Sequence, residues 1–134
     1  MNTLALSGGE FGITFCQPLR SDGWLDSFVV RIEEPGLSAA AQVENSGVIQ
    51  GPEAFFHEIA KNWRGWTGEK TWHALEGELN LSATADSLGH ITIRVQLQPT
   101  AGPEGWRVIS YAYVEAGQLE SLSRRAAKFF GREP

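Results

Sequence analysis

Apolar residues recur along this chain with two different periods, and the order in which those periods alternate sets the expected architecture. Period-two alternation comes first. Phe11, Ile13 and Phe15 mark one strand, and Phe28, Val30 and Ile32 mark a second. Leu37, Ala39, Ala41 and Val43 mark a third, joined to the second through the turn residues Pro35-Gly36. Leu79, Leu81, Ala83 and Ala85 alternate next, and Asp86-Ser87-Leu88-Gly89 then turns the chain into Ile91, Ile93, Val95 and Leu97. Thr92, Arg94, Gln96 and Gln98 fall between those last apolar residues, so one face of that hairpin is wet, as in antiparallel sheet. A stretch from Trp106 to Val114 has apolar residues on both faces, with Ile109, Tyr111 and Tyr113 opposite Trp106, Val108 and Val114. Such a strand is expected to be covered on both sides, with the C-terminal helix as the second cover. Gly8-Gly9 and Gly102-Pro103-Glu104-Gly105 read as loops.

Helical periodicity appears twice. After Gly51, Pro52 takes the favoured first helical position and Glu53 lies at the positive end of the dipole. Phe55, Phe56, Ile59, Ala60 and Trp63 then form one stripe, and Gly65 ends the segment. The second helix is expected from about Gly117 to Phe130. Its stripe is Leu119, Leu122, Ala126, Phe129 and Phe130, with Arg124, Arg125 and Lys128 near its end and Gly131 as its cap. Strands, helix, strands, helix, with short turns between strand neighbours, predict an α+β fold. The expected form is a single curved antiparallel β-sheet of about six to seven strands with two α-helices packed on it, residues 1–134 making a single domain.

Composition narrows the function classes. With 16 acidic residues against 11 basic ones the formal charge is −5, which argues against nucleic-acid binding. The excess charge serves solubility, or complementarity to a basic partner. Cys16 is the only cysteine, so neither an internal disulfide nor a cysteine metal cluster can form, and the residue reads as a small buried hydrophobe. No apolar run reaches the ~20 residues that span a bilayer, and Met1–Ser7 lack the pattern of a signal peptide. A cytoplasmic location is the expectation, with neither membrane nor nucleic acid as partner.

Candidate chemistry is sparse. His57, His73 and His90 have no metal-ligand spacing, so neither a metal nor a cofactor is expected. Asp86 and His90 could pair as acid and base across their turn, but an aspartate that caps a turn before a left-handed Gly89 explains the same residues. There is no nucleophile-elbow motif. Trp63, Trp66 and Trp72 cluster around Arg64, either as core and lid or with Trp66 as an exposed anchor and Arg64 stacked on an indole. Glu76 and Glu78 alternate about Gly77 and are expected on one strand face.

Phe55-Phe56, Trp63-Arg64-Gly65-Trp66, Trp72, Leu75-Glu76-Gly77, Asp86 with Gly89-His90, and Gly117-Gln118-Leu119 together resemble an uncharacterised bacterial family of small single-domain proteins over roughly residues 28–130. That family is in turn similar to the immunity proteins that protect cells against WapI-type contact-delivered toxins. The resemblance implies a cytoplasmic antitoxin-like or partner-binding protein; with the absence of catalytic spacing and the acidic charge, the expectation is a non-enzymatic protein-binding module with a basic toxin domain as partner. Under that expectation the contact candidates are Glu33, Glu34, Glu44, Glu76 and Glu78 on exposed strand positions, with Trp66 as an anchor. The alternative is a small-ligand domain holding an apolar molecule between sheet and helix.

Overall fold

A computed structural model describes residues 2–6, 11–48, 50–99 and 105–133. The expected loops at Gly8-Gly9 and Gly102-Pro103-Glu104 lie outside them. The period-two segments form strands, in two groups. The first comprises β1 (Leu4–Ala5), β2 (Gly12–Ser21), β3 (Trp24–Glu34) and β4 (Leu37–Glu44), hydrogen-bonded in that order. The second comprises β5 (Lys70–His73), β6 (Leu79–Ala85), β7 (His90–Leu97) and β8 (Val108–Glu115), again in chain order and antiparallel throughout. Between them runs α1 (Pro52–Lys61); a 3-10 turn at Ala116–Gln118 leads into α2 (Leu119–Phe130).

The α+β class and the two helices are as expected, but one curved sheet of six to seven strands is corrected to two four-stranded sheets. Alternation fixes which residues of a strand share a face; it does not say whether two runs of hairpins separated by a helix continue into one another. The two-residue β1 is too short to alternate at all.

Each sheet buries one face. The first contributes Ile13, Phe15, Phe28, Val30, Ile32 and Val43; the second contributes aliphatics such as Leu79, Leu81, Ile91, Ile93, Val95 and Leu97. Both helices add their apolar stripes to the same cluster. Phe130 stands at its centre, 5.2 Å from the rings of Phe15 and Phe28 and stacked on Phe56 at 6.2 Å. Edge-to-face and offset ring pairs of this kind add about 0.5–1.5 kcal/mol each to their burial.

Polar contacts tie the layers. Ser110 on β8 donates to Glu34 at the end of β3 (2.7 Å), and Glu78 before β6 accepts the backbone N–H of Glu44 (3.1 Å). Arg20 on β2 donates to the carbonyls of Phe129 and Gly131 and pairs with Glu133 (2.8 Å), closing the C-terminal end of α2 with a cation. Gly131 is required there by space: a Cβ would sit 2.5 Å from the Ala127 carbonyl oxygen.

One residue of the helical stripe departs from expectation. Trp63 is 53% exposed, because α1 ends at Lys61 with Asn62 as its cap and the helical period no longer applies at position 63. Cys16 is free and buried, as its surroundings suggest.

Candidate binding surface

The second sheet buries one face in the common core and leaves the other open. Pairing decides which residues look outward. Ile91 lies opposite Val114, Ile93 opposite Ala112 and Val95 opposite Ser110, all buried; the alternate pairs Thr92–Tyr113, Arg94–Tyr111 and Gln96–Ile109 therefore face solvent. On β6 and β5 the same face carries Asn80, Ser82 and Thr84, then Thr71 and His73. The expectation that α2 covers the tyrosine side of β8 is thus corrected. Tyr111 is 48% and Tyr113 72% exposed, with Ile109 beside them.

Arg94 occupies the middle of this face, half-buried, and donates to the amide oxygen of Gln96 at 3.2 Å. Next to it the face dips into a dent of about 280 Å³ bordered by Glu69, Thr71, His73, Asn80 and Ser82. Arg107 lies near the end of the same surface and donates to Gln98 (3.1 Å). Two guanidiniums, two tyrosines and a set of hydroxyl and amide groups give the face the residue types enriched at protein-binding hot spots and paratopes.

The carboxylates and the tryptophan expected to form the contact surface are placed otherwise. Glu33 accepts from Ser38 (2.8 Å) and Glu34 from Ser110, both near the β3–β4 turn. Glu44 is exposed at the far end of β4, roughly 20 Å from Ser38 at about 3.4 Å per residue. Glu76 is exposed in the turn before β6. Glu78, expected on an exposed strand position beside it, is corrected: it is 6% exposed and joins the sheets through Glu44. A positive φ at Gly77 breaks the alternation that would have set the two glutamates side by side. The five carboxylates therefore fall in two groups rather than one patch. Trp66 is partly buried against the core and donates its indole N–H to the Ala83 carbonyl (3.3 Å), with Lys70 over its ring; Trp72 donates to Gln50. Arg64 stacks on Trp63, 5.1 Å from the ring centre.

Asp86 and His90 do meet. Asp86 accepts the backbone N–H groups of Leu88 (2.8 Å) and His90 (3.0 Å), and Gly89 is left-handed, so the turn-capping role is present in full. His90 Nδ1 also lies 2.9 Å from Asp86, and its Nε2 lies 3.7 Å from Glu115. The hydrogen bond to Asp86, then the charges of Asp86 and Glu115, raise the imidazole pKa above 6.5; the backbone N–H of His90 leads the groups that lower that of Asp86. Flanked by carboxylates on both ring nitrogens, the His90 ring braces the turn against the β8 end. Among the described residues no trio of His, Cys, Asp or Glu side chains is disposed to hold a metal, and no described helix is long and apolar enough to cross a membrane.

A model described as a family of unknown function, DUF6228, matches residues 5–133. The chain belongs to that family. The DUF6228 match runs from the end of β1 past the end of α2, so both sheets, both helices and the open face lie within the family unit. No curated protein and no solved structure matches the chain.

Proposed function

We propose that this DUF6228 protein is a non-enzymatic, cytoplasmic protein-binding module of the immunity type, acting by covering the working surface of a toxin domain. The observation that carries the reading is the uncovered outer face of the second sheet, with Ile109, Tyr111 and Tyr113 turned to solvent beside Arg94. Large amphipathic rings on a rigid strand give contact area at low entropic cost, which suits recognition of a protein surface. The turn-bracing geometry of His90 adds support, since it gives the most conspicuous acid–base pair of the chain a structural role.

A small-ligand role has less room. The space between the first sheet and the helices is filled by phenylalanine rings, which leaves a ligand the dent of about 330 Å³ where Leu6 and Tyr113 meet Leu122 of α2, or the groove of about 480 Å³ between α1 and α2 beside Trp63. Affinity capture of the full chain from its host's lysate tests the binding role. One stoichiometric protein, retained by the native chain and lost with Tyr111→Thr/Tyr113→Thr, is the expected result. No such protein, with a thermal shift on adding a metabolite instead, would overturn it. For the immunity role, co-expression with the captured partner should relieve that partner's toxicity; a harmless partner would leave protein binding standing without it.

A further inference from the structure

We propose that the outer face of β5–β8 docks an acidic segment of a protein partner, with a carboxylate seated on Arg94. This rests on the protein-binding reading above and adds the partner's chemistry to it.

The argument starts from charge. Glu33 and Glu34 receive hydroxyl hydrogen bonds within the fold, and Arg20 is paired with Glu133. Arg94 is different. It is half-buried, it touches the neutral Gln96, and among the described residues its guanidinium makes no ion pair. A partly desolvated guanidinium is best satisfied by a carboxylate, whose two oxygens match its fork of donors. The dent beside Arg94 has room for a side chain, and Thr71, Asn80 and Ser82 border it with further donors. Tyr111 lies directly across the strand pair from Arg94. Rings beside a charge-assisted hydrogen bond exclude water from it, the arrangement found around interface hot spots.

The acidic groups near this face sit at its margins. Glu115 is at one corner, near His90, and Glu69, which precedes the edge strand β5, lines the dent with Arg94. Arg107 adds a second positive charge. Two guanidiniums on a chain of net charge −5 are too few to hold a phosphate backbone, which is bound through many cations, so the same face suits an acidic protein segment better than RNA.

The test is selection of random dodecapeptides displayed on phage against the full chain, followed by titration of the enriched peptides. Peptides carrying Asp or Glu beside apolar residues should be enriched. Their affinity should fall at least tenfold with Arg94→Gln and with Tyr111→Thr, recover in part with Arg94→Lys, and stay within twofold with Glu44→Gln. An unchanged unfolding midpoint shows that each variant is folded. Enrichment of neutral or basic peptides, or binding indifferent to Arg94, overturns the proposal, as does failure to enrich any peptide. Arg94-dependent binding of a uridine 15-mer in place of peptides overturns it in favour of nucleic acid. Arg94-dependent dimerisation in sedimentation overturns it in favour of a second copy. A partner captured from lysate that still binds Arg94→Gln would leave the protein-binding role intact while removing this surface from it.

Discussion

In the first sheet the strand rings Phe15 and Phe28 are fully buried among the rings of the two helices, whereas in the second the tyrosines of β8 stand in solvent. Both sheets have four antiparallel strands and one apolar face, so the fold's need for a core does not explain the difference. Their charges differ in the same way. Glu33 and Asp26 of the first sheet take hydroxyl hydrogen bonds from Ser38, Ser21 and Ser46, while Arg94 of the second has an amide for company. The first sheet is not bare of exposed rings, but its Trp24 sits beside the β2–β3 turn with Arg132 over it. The other presents rings and a guanidinium that the fold leaves over, and such a surplus on an open face is what a binding surface is made of.

The largest expected effect sharpens that contrast from the inside. Phe15→Ala should cost about 3–5 kcal/mol of unfolding free energy, measured by denaturant titration, because the ring is fully buried and packs edge-on to three others. A loss near 1 kcal/mol would mean that the phenylalanine cluster is not the core. Next come the two glutamates around Gly77. Glu78→Ala should destabilise by about 1–3 kcal/mol, since it strips the partner from the Glu44 N–H inside the fold; Glu76→Ala, exposed, should stay within about 0.5 kcal/mol. Equal effects would return both to one strand face.

The smallest effect concerns pH. With its folded pKa raised, His90 contributes stability that is fully present below 6.5 and is lost as pH rises through the folded value. For Asp86 the sign is opposite: its contribution is present above 3.8 and lost as pH falls through its lowered pKa. An NMR titration should place the His90 midpoint above 6.5, with Asp86→Asn lowering it and Glu115→Gln lowering it less. A midpoint at or below 6.5 would mean the brace does not form in solution.

Much of the interior was legible in the sequence. The stripe of α2 was read residue for residue, because five apolar positions at helical spacing admit one buried face. The β6–β7 hairpin followed from strict alternation around a turn whose aspartate and glycine have a mechanism. The candidate surface was not legible, and β8 shows why. A strand with apolar residues on both faces offers two registers of equal merit, and only its pairing with β7 selects Ser110, Ala112 and Val114 as the inward set. Alternation puts Arg94 on a wet face, but nothing in the chain says that among the described residues no carboxylate pairs with it there. The acidic candidates failed to gather for a related reason. Glu33 and Glu44 stand at opposite ends of one hairpin, a separation that strand length makes plain only once the register is known.

The most direct test compares the two kinds of ring. Unfolding free energies of Tyr111→Thr/Tyr113→Thr and of Phe15→Ala are measured side by side, threonine being chosen to keep strand propensity. If the β8 rings are there for a partner, the double variant loses less than about 1.5 kcal/mol, the scale of two cross-strand pairs, against about 3–5 kcal/mol for the buried ring. A double variant as damaging as Phe15→Ala would show that the tyrosines hold the fold, and the claim that the second sheet keeps an open binding face would fall.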